Sequence, residues 1–254
     1  MKTDDSPPET TTRPPGWMLE VLDKVPSTNF LARDLPAWHA LRARTQTAGC
    51  GRTGRHWVSD EGGLWLSAVL PCPGPRDRWA ILPLAAGHAV ITALADLGAS
   101  GLRLRWPNDV MAGHRKLAGL LVERFTDDTA VVGLGLNIFN HPETAAPALD
   151  TPTARLADLA HGDYTIDTVA GHILNAFART HAGLLADGFG PVAAALNRSW
   201  AEPRLVSITL NNGRPPFTCH FQGIDDHGRL LISTAGNGVC LYEATEVSLL
   251  REIE

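Results

Sequence analysis

Between Arg105 and Glu123 the chain reads RWPNDVMAGHRKLAGLLVE. Pro107 fixes its own φ and pushes Trp106 away from helical geometry, so Asn108 and Asp109 are presented in a defined direction. Leu102, Leu104 and Trp106 alternate with Arg103 and Arg105 as in a half-buried strand, and Leu117 to Phe125 is a second strand-like run. The pattern predicts a strand–turn–strand unit, with Lys116 at the start of the second strand and close to the Asp109 carboxylate. A carboxylate beside an ammonium at the mouth of a sheet can hold a phosphate, its metal and a reacting carboxyl group together. An ordinary surface hairpin would use the same residues for turn hydrogen bonds and a solvated lysine, so other segments must decide.

Gly49-Cys50-Gly51-Arg52-Thr53-Gly54 matches the G-x-G-x-x-G of dinucleotide-binding turns. That fingerprint opens a helix, whereas Arg55 to Gly63 has no helical period. The stretch reads instead as a flexible loop over an anionic ligand. Its glycines let the backbone approach phosphate, Arg52 and Arg55 neutralise charge, and Trp57 offers a face to a base. Gly133 and Gly135, inside the strand-like run Ala130 to Ile138, mark a second close approach by a ligand or another backbone.

These residues need a scaffold. Met18 to Val25, Leu41 to Thr45 and Leu64 to Leu70 read as strands, and Ser27-Thr28-Asn29 offers capping side chains to a helix start. Ile81 to Leu97 has helical period. A second helix, capped by Asp167 and stopped by Gly188, aligns Val169, Ile173, Phe177, His181 and Leu184 on one stripe, and a shorter one runs from Val192 to Trp200. From Arg204 the chain turns to short strands separated at Asn212-Gly213, Asp226-His227-Gly228 and Gly236-Asn237-Gly238, a small all-β module. The expected organisation is a flexible tail at 1–16, a main domain at 17–202 and the β module at 203–254.

Composition narrows the functional classes. With 22 basic against 27 acidic side chains, a net charge of −5 and no basic block, nucleic acid is a poor main partner. The opening MKTDDSPPETTTRPPG has acids and prolines where a signal peptide has basic and apolar regions. The apolar stretch from Ile81 to Leu97 is interrupted by Pro83, Gly87 and His88, so no membrane span is expected. Four cysteines without a C-x-x-C pair and ten histidines without metal-ligand spacing argue against a disulfide framework or a cysteine-based zinc site. The expectation is a cytoplasmic protein.

Taken together, Ser27-Thr28-Asn29, Gln46, Gly49 to Trp57, Gly63 to Ser67, Trp106 to Asp109, Lys116 to Gly119 and Gly133 to Asn137 resemble, in order, the signature of the biotin protein ligases, in a form without an N-terminal DNA-binding domain. Glu246 to Leu249 is similar to the end of the family's small SH3-like domain. The resemblance implies an α/β (α+β) fold, a mixed and largely antiparallel sheet backed by helices, followed by a small SH3-like β-barrel. It implies an ATP-dependent ligase that makes biotinyl-5′-AMP and transfers biotin to a lysine of a biotin carboxyl carrier protein. By it, Lys116, Arg52 and Asp109 are the catalytic residues. Ser27, Thr28, Asn29, Gln46, Gly49, Cys50, Gly51, Arg52, Lys116 and Gly119 bind biotin, and Arg52, Arg55, Trp57, Asn108, Asp109, Lys116 and Asn137 bind ATP. Mg2+ accompanies ATP through ligands the sequence does not identify. The chain departs from the family pattern at Cys50, where an arginine is usual. Lipoate–protein ligase and a non-catalytic biotin- or nucleotide-binding relative are the alternatives. No DNA or membrane partner is expected, and an exposed edge strand leaves room for a homodimer.

Overall fold

The computed structural model describes residues 9–12, 16–145, 151–200, 204–234 and 237–253. Eight strands form one sheet: β1 (Glu9–Thr12), β2 (Met18–Val25), β3 (His39–Gln46), β4 (Leu64–Pro71), β5 (Leu102–Arg105), β6 (Asp109–Ala112), β7 (Arg115–Glu123) and β8 (Thr129–Leu136). Their spatial order is β1-β2-β3-β4-β8-β7-β6-β5. Only β2 and β3 pair in parallel, because the chain between them crosses over through the short helix α1 (Thr28–Ala32). Helices α2 (Leu82–Ala95), α3 (Pro142–Ala145), α4 (Ile166–Ala186) and α5 (Gly190–Trp200) complete the main domain.

The centre of the sheet is covered on both faces, which is why β4 is a continuous apolar run rather than an alternating one. Leu64, Leu66, Ala68 and Leu70, with Val132, Leu134 and Leu136 of β8, join the main core beneath α2 and α4. On the other face Val69 and Val131 pack with Leu41 and Ala32 under α1. The functional residues stand on this second face, beside α1.

Several sequence expectations are revised. The stretch between the two expected strands is not a turn throughout: Asp109–Ala112 is a strand of its own, paired with both β5 and β7. Within the stretch expected to be a flexible tail, Glu9–Thr12 pairs antiparallel with β2, while residues 1–8 and 13–15 lie outside the described residues. The cap of α4 is Thr165, whose hydroxyl accepts from the Thr168 amide at 3.1 Å. Asp167 instead forms an ion pair with Arg42 at 2.8 Å. Pro83 does not interrupt α2, because proline is tolerated in a first helical turn. The helical stretch Asp77–Ala95 is long and apolar enough to cross a membrane by length and composition, but 61% of it is buried inside this fold. It is a core helix.

The C-terminal strands β9 (Arg204–Leu210), β10 (Phe217–Ile224), β11 (Leu230–Thr234), β12 (Asn237–Tyr242) and β13 (Val247–Glu252) form an antiparallel sheet in the order β12-β11-β10-β9-β13, consistent with an SH3-like barrel. The predicted turns at Gly213 and Gly228 are present, both glycines at φ 75°. Gly236 falls outside the described residues. This module is fastened to the main domain by specific polar contacts. Trp106 Nε1 donates to the Gly228 carbonyl at 3.1 Å. Glu252 pairs with Arg103 of β5 and, at 2.9 Å, with Arg204. Trp200, held within the main domain by donating from Nε1 to the Leu104 carbonyl at 2.6 Å, packs edge-on against Phe221 of β10 with ring centroids 4.9 Å apart.

Candidate functional site

A cavity of about 470 Å³ opens where α1, the Gly49–Trp57 segment, β6, β7 and β13 meet, within the range of small-molecule sites. Every residue named above for the site lines it except Gly49, which is packed beneath Trp57 and Ser59.

Its charged floor is a consequence of sheet register. Asp109 pairs with Gly119 and Val110 with Ala118, but a one-residue shift then sets Met111 opposite Lys116. Strict alternation from Gly119 would turn Lys116 to the helix-covered face; the bulge returns it to the site. Lys116 Nζ consequently lies 2.6 Å from Asp109 Oδ1, and Arg105 donates to Oδ2 at 2.7 Å. Burial pushes the Asp109 carboxyl up, but the adjacent Lys116 and Arg105 cations outweigh it and hold the group below the usual carboxylate range. Asp109 is thus an ionised counter-ion that aims two cations into the cavity.

The predicted flexible loop is a small hairpin folded over this floor. Gly51 N donates to the Arg55 carbonyl at 2.7 Å, Trp57 N to the Gly49 carbonyl at 2.9 Å, and Cys50 bridges to His56. No helix follows, in agreement with rejection of the dinucleotide-binding reading. The Trp57 ring lies on Gly119 and Gly135, direct cross-strand partners. A Cβ at Gly119 would come within 2.9 Å of the ring, and one at Gly135 would run into the indole. Lys116 Nζ stands 4.9 Å from the ring centroid, a cation–π arrangement. Trp57 thus touches Gly119, expected to bind biotin, and Lys116, expected to bind both biotin and ATP. Its Nε1 and the Thr153 Oγ1 are buried without a hydrogen-bond partner among the described residues.

Arg52 lines the cavity from the hairpin and crosses to the C-terminal module. Its Nη2 donates to the Ala244 carbonyl at 2.6 Å and the Val247 carbonyl at 3.1 Å, tying the hairpin to the C-terminal module. Burial lowers the pKa of its guanidinium, partly countered by Asp109 and reinforced by Arg55. Arg55 itself is exposed at the rim. Cys50, also exposed, contributes a thiol that donates to the Gly51 carbonyl at 3.3 Å.

At the opposite end of the cavity the polar residues of α1 and β3 form a cradle. Gln46 Oε1 accepts from the Thr28 amide at 2.8 Å and lies 3.1 Å from the Thr28 hydroxyl, while Gln46 Nε2 donates to Ser59 Oγ at 2.9 Å. Ser27 does not cap α1 with its side chain. Asn29, although it lines the cavity, has both ends of its amide engaged by Ser67, Glu123 and the Leu121 carbonyl. Asn108 donates to the Leu120 carbonyl at 2.6 Å, and Asn137 accepts from Asn140 at 3.0 Å.

Four contributors escaped sequence reasoning. Ser67 and Glu123 anchor Asn29 from distant strands. The segment around Thr153 pairs with Lys116 as a short parallel bridge, with Lys116 N donating to the Pro152 carbonyl at 2.7 Å. Val247 to Arg251 of the C-terminal module form one wall of the cavity. Ser67 stands in the legible Leu-Trp-Leu-Ser run, but nothing in sequence pairs it with Asn29.

The family model for the biotin/lipoate A/B protein ligase family matches residues 24–137. The chain is 33% identical over 232 residues to the biotin–[acetyl-CoA-carboxylase] ligase of Paracoccus denitrificans, covering 84% of this chain and 92% of that protein. It is also 33% identical over 249 residues to the ligase of that name from Mycobacterium tuberculosis, covering 92% of this chain and 90% of that protein. The biotin protein ligase of Aquifex aeolicus in complex with biotin and ATP superposes with a TM-score of 0.79 at 27% identity, over 92% of this chain and 99% of that one. With the paired cations, the polar cradle and the covering hairpin in one cavity, and with these relatives matched over nearly their whole length, the chain belongs to the biotin protein ligase family.

Proposed function

We propose that the protein activates biotin with MgATP and transfers it to a lysine of a biotin carboxyl carrier protein in the cytoplasm, the main domain at 17–202 and the module at 203–254 building the site together. The observation that carries this reading is the single cavity with an ion-paired Lys116 and Arg105 at one end and the Thr28–Gln46 cradle at the other. In the first step a biotin carboxylate oxygen attacks the α-phosphorus, the bond to the β-phosphate oxygen breaks, and pyrophosphate leaves. Lys116 and Arg105 lower the repulsion between carboxylate and phosphate. Magnesium enters with the nucleotide as part of the substrate.

In the second step the neutral carrier amine attacks the acyl carbon, AMP leaves with the electron pair, and the proton released by the amine passes to solvent. Asp109 is a poor acceptor for that proton, because Lys116 and Arg105 stabilise its ionised form; its role in this reading is to position the two cations. The hairpin over the cavity shields the mixed anhydride from water, and Arg52 reaches the phosphates by leaving its two carbonyl partners.

Lipoate fits the cradle less well. Its dithiolane ring has no hydrogen-bonding groups, so Ser27, Thr28 and Gln46 would lose water without regaining partners, whereas a ureido ring supplies both donors and an acceptor. Biotin-dependent exchange of pyrophosphate into ATP tests the first step. Exchange with biotin and none with lipoate is expected; exchange with lipoate alone would move the protein to the rival chemistry, and none with either would remove the activation step.

A further inference from the structure

We propose that Glu123, outside the cavity lining, is a positioning residue that sets the hydrogen-bond polarity of the cradle, so that Thr28 offers the ligand a lone pair and selects for an N–H donor; this rests on reading the cavity as a biotin site. The chain of contacts starts at Glu123 Oε2, which accepts from Asn29 Nδ2 at 2.8 Å. The Leu121 carbonyl takes the same nitrogen at 3.2 Å. Both partners can only accept, and the shorter, charge-assisted contact to Glu123 outweighs the longer one to the Leu121 carbonyl in holding the Asn29 amide with its nitrogen toward Glu123 and its oxygen away. The notch that holds this amide exists because residue 133 is glycine; a Cβ there would run into Asn29 Oδ1.

The oxygen so directed lies 2.6 Å from Ser67 Oγ. Asn29 Oδ1 has no hydrogen to give, so the single Ser67 proton is committed to it. Ser67 Oγ also lies 2.7 Å from Thr28 Oγ1, and Gln46 Oε1 lies 3.1 Å from the same hydroxyl. Both neighbours then present lone pairs to Thr28. The Thr28 proton is held between them, and what remains for the cavity is an acceptor. Gln46 is held in turn, its nitrogen donating to Ser59, whose hydroxyl donates to the Trp57 carbonyl at 3.1 Å. Ser67 is fully buried and Thr28 and Asn29 nearly so, leaving water little chance to rescue a broken link.

Glu123→Ala removes the charged acceptor, whereas Glu123→Gln can keep an oxygen facing Asn29. Titration calorimetry should find biotin bound roughly tenfold more weakly by Glu123→Ala and within about twofold of wild type by Glu123→Gln, with ATP affinity unchanged in both. In a Thr28→Val background, Glu123→Ala should produce no further loss of biotin affinity, since the group it orients is gone. Equal loss in the Ala and Gln variants, parallel loss of ATP binding, or additive effects with Thr28→Val would overturn the proposal.

A second readout does not depend on the ligand. Hydrogen exchange at the Thr28 amide in the ligand-free chain should be faster in Glu123→Ala and unchanged in Glu123→Gln. Unchanged exchange in Glu123→Ala contradicts the relay, whereas failure of the wild-type chain to bind biotin contradicts the functional reading and leaves the exchange result to judge the relay.

Discussion

Asp109 is a carboxylate whose two partners, Lys116 and Arg105, are cations of the same site. Lys116→Ala removes one preorganised charge from the reacting phosphate and should lower biotin-dependent pyrophosphate exchange by roughly 10²–10³-fold; a loss below tenfold would mean that Lys116 is not at the reacting centre. Asp109→Asn leaves two buried cations without their counter-ion and should destabilise the fold at pH 7 by about 1–3 kcal/mol. The pH dependence has a definite sign. Because the folded-state pKa of Asp109 is depressed, its contribution to stability is complete above the ordinary carboxylate value of about 4 and disappears as pH falls through the lower folded value. Urea titrations should therefore show the gap between wild type and Asp109→Asn shrinking below about pH 4; a gap that widened on acidification would refute the assignment. The Asp109–Lys116 contact was legible in sequence, since the two lie seven positions apart around an expected turn. The Asn29–Glu123 contact was not, because 94 positions separate its partners and only the β4, β8 and β7 registers bring them together.

At the scale of elements, strands with clear runs were readable and short or irregular pieces were not. Met18–Val25 forms as expected because its strand character is unbroken. β6 was hidden because four residues between two tight turns are too few to show a period, and the bulge that turns Lys116 to the site has no sequence mark of its own. The Gly49–Trp57 segment was recognisable by composition, but its hairpin hydrogen bonds and the seat of Trp57 on paired glycines depend on strands far along the chain. That seat makes a prediction. Gly135→Ala adds a methyl group against the indole, an overpacking worth about 1–3 kcal/mol. The hairpin can move more readily than the sheet, so the penalty should appear as weaker biotin binding, by about tenfold, with a melting temperature within a few degrees of wild type. Combining Gly135→Ala with Trp57→Ala should give less than the product of the two losses; a multiplicative loss would show that the two groups do not touch.

At the scale of the whole molecule, the C-terminal module is part of the site as well as an appendage to it. Its turns were visible in sequence, but its docking was not: Trp106 reads as a motif residue, yet its indole is spent on the Gly228 carbonyl, and Arg52 crosses to the Ala244 and Val247 carbonyls. The partly buried triad of Arg103, Glu252 and Arg204 adds to this joint. Removing its shared acid with Glu252→Ala strands two arginines, and a loss of about 1–3 kcal/mol is expected, reduced from a fully buried pair because all three side chains retain some solvent contact. Denaturation followed by tryptophan fluorescence would check it, and no measurable change would mean that this triad does not help to hold the module. In the proposed function this cavity joins a biotin carboxyl group to a carrier lysine through an adenylate. Intact-mass analysis of a biotin carrier domain incubated with the protein, ATP, magnesium and either biotin or lipoate checks this reaction. A gain of one biotinyl group that requires ATP and is lost in Lys116→Ala is expected. A gain with lipoate alone, or an unmodified carrier in the presence of protein that binds biotin, would contradict it.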